Sequence, residues 1–268
     1  MIGITAKSSW CNLLIVMSTF FRFSSAELRI FIFSVVAISS VSVLPASAED
    51  RLVDEIIIHP NGSSRQDVTA GLVGASHEER QLVHEGAKHA VSLLGQCGLE
   101  APPHIRVMIE KKPLNVCGVD AFGSFDAEAQ SIRLVNKQTC KKMTSVNSAY
   151  AGLSFDEFFK SLTVHEMAHV IFRHRLNGRR VSRATHEYIA YAIKIASFPT
   201  TVRAEFLNSF TREPPTDLSP FVVILLLMSP EHFGVLADDH FSAPDNGCRI
   251  LTGIVKGQVE FPTLEELE

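Results

Sequence analysis

"SLTVHEMAHVIF", residues 161–172, places two histidines four positions apart and a glutamate directly after the first. Residues four apart on an α-helix lie one turn apart and about 40° from each other around the axis, so His165 and His169 would reach one ion. Glu166 would lie about 60° from His169 on the same side, where it would meet a water bound to that ion without being a ligand. The pattern therefore predicts a metal site within a helix.

The residues around the motif carry helix start and stop signals. Ser154 and Glu157 have the spacing of a capping box, and Asn177-Gly178 is a typical stop, which predicts one helix over about 155–177. Five more segments have the pattern of a helix or of strands. They are a helix over 77–96, a strand over 104–110, two strands within 118–136 that turn near Asp126-Ala127, a helix from near Ser182 to before Pro199, and a helix over 201–210.

The N-terminal region has the features of an export signal. An apolar run at residues 30–45 follows Arg22 and Arg29 and precedes Ala46-Ser47-Ala48, a small-x-small cleavage pattern. It predicts a secretory signal peptide over 1–48, with Met17 as the expected true start, and a mature chain of 49–268. An uncleaved membrane anchor stays open as the alternative. We expect an exported protein, either periplasmic or secreted.

Charge and length limit the classes of partner. Removing residues 1–48 takes away three basic residues and one acidic residue, which changes the formal net charge from −4 to −6 and leaves no basic field for nucleic acid. The remaining chain has the length of one domain. The apolar run "FVVILLLM" (221–228) is too short to cross a bilayer, so we expect it to be buried in the core and expect no stable membrane span once the signal is removed.

The cysteines suggest disulfide bonds. Four remain after the signal peptide: Cys97, Cys117, Cys140 and Cys248. An even number in an oxidising compartment favours two disulfides, and none forms a C-x-x-C pair of the kind that holds structural zinc. Three pairings are possible. We expect Cys117 to pair with Cys140, since the two bracket the strand-rich region, which leaves Cys97 with Cys248.

A catalytic zinc ion needs a third protein ligand and one open position. His174 would lie about 140° around the helix from His169 and face away from it. In one known arrangement of zinc ligands, a glycine and a third histidine follow shortly after the motif. Here Phe172 and Arg175 occupy those positions. The remaining candidate is Glu187 in "RATHEYIAYAIK" (183–194), on the predicted second helix.

With this motif and second helix, the chain resembles the gluzincins, zinc metallopeptidases in which a glutamate on a following helix completes H-E-x-x-H. The resemblance implies that His165, His169 and Glu187 hold one Zn²⁺ per chain and that Glu166 is the general base and acid. It also implies an α+β, zincin-like fold over 49–268: a small mixed sheet, an active-site helix pair and a helical C-terminal part. The stretch "ATHEYIAYA" is also similar to a secreted bacterial zincin-like family of unassigned role.

One position departs from the gluzincin pattern. Those enzymes have an aspartate four residues after the ligand glutamate, where it orients the first histidine, and here this position is Tyr191. Its hydroxyl would accept the imidazole N–H but would raise ligand basicity less than a carboxylate does. For the donor that steadies the oxyanion, we consider His232, His240 and Tyr188, and choose His240.

Three functions are compatible with these residues. The first is an exported zinc-dependent peptidase that hydrolyses peptide or protein substrates through a zinc-activated water. The alternative is a catalytically inactive zincin-like binding protein of the cell envelope, which the Tyr191 departure favours. The third is a disulfide-stapled envelope protein whose histidines bind no metal. The sequence predicts no oligomeric state.

Overall fold

The computed structural model describes residues 54–58, 75–116, 119–144, 150 and 152–262. The predicted signal peptide, Met17 and Cys117 lie outside these residues. Contacts divide the chain into two compact units, and the larger unit consists of residues 53–114 and 121–268. The smaller unit includes residues 115–120, which contribute to a pair of short strands.

The described strands are β1 (Asp54–Ile58), β2 (Ile105–Glu110), β3 (Leu114–Val116), β4 (Val119–Ala121), β5 (Gly123–Asp126) and β6 (Ser131–Val135). Four of them form a mixed sheet in the order β1-β2-β6-β5, while β3 and β4 pair with each other. The two inner strands, β2 and β6, are parallel, and the outer strands β1 and β5 are each antiparallel to their neighbour. Within the described residues, strand β5 is therefore an edge of the sheet.

The described helices are α1 (His77–Gln96), α2 (Lys137–Met143), α3 (Phe155–Leu176), α4 (Arg183–Ala196), α5 (Thr200–Asn208), α6 (Val223–Met228), α7 (Pro230–Ser242) and α8 (Cys248–Lys256). Helix α3 packs against α1, against α4 and against strands β5 and β6, and α4 also packs against α7. The fold class is α+β, as predicted, because the described strands all end by Val135 and the regular elements from residue 155 onward are all helices.

The predicted limits of α3 are confirmed to within one residue. Its first turn is capped by Ser154, whose hydroxyl accepts a hydrogen bond from the backbone N–H of Glu157 at 3.2 Å. At the other end Asn177 (φ 46°) and Gly178 (φ 87°) both take a left-handed conformation, which ends the helix. Because both ends are fixed locally, the position of the motif within the helix is fixed as well.

Alternating apolar residues attach the sheet to the helices. In β2, Ile105, Val107 and Ile109 are buried and belong to the same hydrophobic core as the inner faces of α1, α3 and α4. Gly86 allows α1 to approach α3 closely, because a Cβ at that position would lie 2.7 Å from the carbonyl oxygen of Lys160. This packing holds α3 between the sheet and α4.

The cysteines follow the prediction only in part. Cys97, at the end of α1, is bonded to Cys248, the first residue of α8, across 151 residues of sequence. The predicted bond between Cys117 and Cys140 is wrong, because Cys140 is a buried free thiol whose Sγ donates to the backbone carbonyl of Val135. Burial raises the pKa of the Cys140 thiol to about 12, so it stays protonated at neutral pH.

The apolar run at 221–228 is less buried than predicted. Phe221 and Leu226 are in the core, but Ile224 and Met228 are exposed. The reason is that most of the run forms the short helix α6, which turns only one face inward. No helix in the described part of the chain has the length and apolar character needed to cross a membrane.

Candidate metal centre

The two histidines of the motif lie in the middle of α3 and face the same direction. The Nε2 atoms of His165 and His169 are 3.2 Å apart, and their rings meet edge to face. Both residues follow a stripe of buried residues along the helix, which includes Phe158 and Leu162. The four-residue spacing thus brings two nitrogen lone pairs to one point, as the helical geometry predicts.

Helix α4 supplies the third side chain. Its start is fixed by Ser182, whose hydroxyl accepts a hydrogen bond from the backbone N–H of Thr185. Glu187 follows Thr185 by two residues. Its Oε2 lies 3.4 Å from Nε2 of His165 and 3.8 Å from Nε2 of His169. Arg183 lies one turn before Glu187, with its Nε 4.0 Å from the other carboxylate oxygen. The three predicted ligands are therefore together in space.

The donor set fits a tetrahedral zinc ion. Ligand atoms about 2.05 Å from a tetrahedral centre lie about 3.3 Å from one another, and the three separations here are 3.2, 3.4 and 3.8 Å. In the described part of the chain this is the one group of three or more His, Cys, Asp or Glu side chains close enough to share a cation. The three side chains are between 11 and 17% exposed, so the cluster is reachable from solvent.

The protonation states match those of metal ligands. Burial lowers the pKa of His169 to about 3, so its ring is neutral at pH 7. Burial alone would raise the pKa of Glu187, but the neighbouring His169 and His165 lower it to about 2, so the carboxylate is ionised. A cation would therefore displace no proton from either residue at neutral pH.

Glu166 lies against the edge of the sheet. Its side chain is almost fully buried, and its Oε1 is 2.6 Å from the position that a Cβ would occupy on Gly123 of strand β5. Burial, with a further contribution from Glu187, raises the pKa of Glu166 to about 8. The role of Gly123 was not predicted, although a glycine within a strand is a signal of close approach.

Tyr191 contacts the cluster in a different way from that predicted. Its ring lies edge-on to the ring of His165, with 4.8 Å between the centroids. Nδ1 of His165 is buried and has no hydrogen-bond partner in the described residues, so the hydroxyl of Tyr191 does not accept the imidazole N–H. Gly234 of α7 makes room for the tyrosine, since a Cβ there would lie 2.6 Å from its Cδ1.

His240 is buried and lies beside Tyr188 and Phe221. Its Nδ1 is 2.7 Å from the hydroxyl of Tyr188, and its ring packs against Tyr188 and Phe221. The described contacts of His240 include none to His165, His169 or Glu187. Tyr188 and His240 are hydrogen-bonded to each other, so this arrangement gives no support to the prediction that His240 is the oxyanion donor.

Lys194 is a buried cation on the same helix as Glu187, and its burial was not predicted from the sequence. It is 4% exposed, and its ammonium lies 4.2 Å from the ring centroid of Tyr150 and 5.8 Å from that of Tyr191. Burial lowers the pKa of Lys194 to about 8, against the opposing effect of Glu231, Glu166 and Glu187. A lysine on an amphipathic helix gave no sign in the sequence that it would be buried here.

The fold and the cluster together define an α+β protein in which two adjacent helices bring two imidazoles and one carboxylate to a single point. The chain belongs to the family described as DUF6639, a family of unknown function, whose model matches residues 71–263. The matched region contains α3, α4 and the whole cluster. No curated protein and no solved structure matches the chain.

Proposed function

We propose that this protein is an exported zinc-dependent peptidase with a zincin-like fold. The observation that carries the proposal is the convergence of His165, His169 and Glu187, with atom separations that suit a tetrahedral ion. The disulfide between Cys97 and Cys248 supports export, because such bonds persist in oxidising compartments. The order of elements, a mixed sheet followed by a helix pair, supports the zincin-like fold.

In this proposal the three clustered side chains hold the ion. Bound zinc would act as a Lewis acid toward the scissile carbonyl and would make water a stronger nucleophile. Glu166, next to His165 in sequence and buried against Gly123, accepts the proton from the attacking water on its carboxylate and then donates it to the leaving amine. Burial raises the pKa of Glu166 to about 8, which suits a group that both accepts and donates a proton.

Strand β5 gives the substrate a place to bind. It pairs on one side with β6 and is an edge of the sheet, so its other side has backbone groups for an added strand. Gly123 brings this strand next to Glu166. A peptide that extends β5 would therefore pass the proposed general base in an extended conformation.

The test is the Glu166→Gln variant. We expect it to keep about one zinc per chain, as in the wild type, while hydrolysis of a peptide library falls by about 10³-fold or more. Glu205→Gln, at an exposed position on α5, is the matched control and should retain both zinc and activity. Equal hydrolysis by Glu166→Gln and wild type would reject the mechanism.

One observation favours a second function, a zincin-like binding protein without turnover. Nδ1 of His165 has no hydrogen-bond partner in the described residues, whereas the ligand histidines of active zinc sites normally donate this N–H to an acceptor. A zinc-loaded wild type that binds peptides but shows no cleavage sensitive to a chelator would support this function over the first.

A further inference from the structure

A pocket of about 270 Å³ lies at the C-terminal end of α3. It is enclosed by the start of β2, by the turn between β5 and β6, and by the last two turns of α3 with its capping residues. Its lining includes His104, Phe125, Val170, Arg173 and His174. All of these residues belong to the larger of the two compact units.

The pocket continues the surface on which Glu166 lies. Val170 and Arg173 are four and seven residues after Glu166, which places them within about 40° of it around the helix and about 6 and 10 Å along the axis. On the facing strand β5, Phe125 is two residues after Gly123, so both residues lie on the same face of the strand. Gly123 contacts Glu166, and Phe125 lines the pocket. Strand β5 and helix α3 therefore border both Glu166 and the pocket.

The lining is basic. Its ionisable residues are His104, Arg173 and His174, and none of the described residues that line it is acidic. The pocket also borders a segment, residues 173–183, that contains five arginines and no acidic residue, in a chain whose formal net charge is −4. A positive region of this kind attracts anionic groups.

Among the described residues, little of the positive charge of the arginines is neutralised by close ion pairs. Arg175 and Arg183 each meet a carboxylate only at 4.0 Å, from Glu100 and Glu187 respectively. Arg173 donates to the backbone carbonyl of Arg179 at 3.4 Å. The Nε and Nη2 atoms of Arg179 are buried and have no partner in the described residues.

We propose that this pocket is a substrate subsite that binds a carboxylate, and that it makes the protein selective for peptides with an acidic residue near the cleaved bond. An extended peptide advances about 3.3 Å per residue, so a side chain about 6 to 10 Å from Glu166 belongs to a residue two or three positions from that bond. The cleavage itself rests on the function proposed above, whereas binding to the pocket does not require turnover. The C-terminal carboxylate of a peptide has the same chemistry as an acidic side chain.

The test measures peptide binding to the zinc-loaded Glu166→Gln protein by fluorescence anisotropy. The probes are labelled decapeptides of alanine, serine and glycine with both ends blocked, each with one glutamate or, in its twin, one glutamine. A second pair lacks both residues and ends in a free carboxylate or an amide. We expect the carboxylate member to bind about tenfold more tightly in the first pair, if a side chain is bound, or in the second, if the terminus is bound. Equal binding within both pairs would overturn the proposal.

Two variants separate the pocket from diffuse charge. Arg173→Gln should reduce the tenfold preference to about twofold or less, because it removes the guanidinium from the lining. Arg180→Gln removes the same charge from the same segment, but Arg180 does not line the pocket, so the preference should be retained. Equal loss in both variants would show that the pocket is not the site. His174→Glu changes an exposed residue and should reverse the preference without altering the melting temperature; an unchanged preference would contradict the assignment.

Mapping of products with the wild-type protein separates this proposal from the function on which it builds. Cleavage two or three residues from the glutamate is the expected result. Cleavage of the glutamate and glutamine peptides at equal rates would leave the peptidase intact and overturn the subsite. A binding preference for glutamate without any cleavage would support the subsite and reject the peptidase.

Discussion

Two groups of ionisable side chains at least partly buried in this molecule differ in how their charges are satisfied. In the first, the guanidinium of Arg203 donates to both carboxylate oxygens of Asp238 at 2.8 to 3.2 Å, and its Nη2 also donates to Ser242. In the second, one ring nitrogen from each of two imidazoles and an oxygen of Glu187 lie within 3.2 to 3.8 Å of one another. The first group is complete within the protein, whereas the second has the composition of a cation site.

The difference shows why burial of a charge does not by itself indicate function. The pair of Arg203 and Asp238 joins α5 to α7 and supports the fold. The cluster of His165, His169 and Glu187 joins α3 to α4. Among the described residues, no cationic side chain bonds to all three of its donors as Arg203 bonds to Asp238. We therefore expect the two groups to respond in opposite ways to acid and in different ways to metal.

The largest effect is expected in the response of the metal-free protein to acid. Burial lowers the pKa of His169 from 6.5 to about 3, so the unfolded chain binds this proton more readily. The stability that His169 contributes above pH 6.5 is then lost as the pH falls from about 6.5 toward 3, on the order of 4 kcal/mol. Burial, which outweighs the effect of Arg203, raises the pKa of Asp238 from 3.8 to about 6. Its contribution therefore has the opposite sign and grows as the pH falls through this range.

Urea unfolding with a chelator between pH 4 and pH 7 measures both contributions. His169→Gln should lose less stability than the wild type on acidification, because it lacks the titrating ring. Asp238→Asn should lose more, because the compensating carboxyl is gone. Identical pH slopes in the three proteins would remove the proposed difference between the two groups.

Arg203→Met should lower the free energy of unfolding by about 3 kcal/mol, because it leaves the fully buried Asp238 without its partner. Arg249→Met, at an exposed position on α8, should change it by about 0.5 kcal/mol or less. Both are measured by urea unfolding. A loss of zinc affinity in Arg203→Met would link the two groups and contradict their separation.

Zinc should stabilise the folded protein through the second group alone. At 100 times its dissociation constant, zinc should raise the free energy of unfolding by about 2.7 kcal/mol. The increase should be absent in His169→Ala and unchanged in Arg203→Met. Calorimetric melting with and without zinc tests this, and an equal increase in all three proteins would place the zinc elsewhere.

The smallest effect is expected at the edge of the sheet. Gly123→Ala would bring a Cβ to 2.6 Å from Oε1 of Glu166 and force the carboxylate to move, so hydrolysis should fall about tenfold while zinc is retained. Gly95→Ala, with open space around it on α1, is the matched control and should be neutral or slightly stabilising. Kinetics and metal analysis of both variants test the position of Glu166, and full activity in Gly123→Ala would contradict it.

The parts of the structure that depend on local signals were predicted well. Helices α3 and α4 begin and end where their caps lie, because the hydrogen bonds of Ser154 and Ser182 are made within one turn. On a helix, histidines four residues apart always lie on the same face, one turn apart. The position of Glu187 beside them followed from the resemblance to gluzincins.

The parts that depend on packing between distant segments were not predicted. The acid pair Asp238-Asp239 has the composition of a solvated turn, yet it lies within α7, and its partners Arg203 and Arg212 come from 35 and 27 residues away. The free thiol of Cys140 and the contact of Gly123 with Glu166 depend in the same way on which surfaces the fold brings together. The glycine within β5 is a local signal of close approach, but no local pattern of residues encodes which side chain such a position meets.

The central claim, that three side chains from two helices hold one divalent cation, is tested most directly by metal analysis. The mature protein is exposed to zinc, freed of loosely bound metal by gel filtration and analysed by mass spectrometry beside Glu187→Ala and the exposed control Glu205→Ala. We predict about one zinc per chain in the wild type and the control, and a loss of most of it in Glu187→Ala. Equal zinc in all three proteins, or none in the wild type, would contradict the claim.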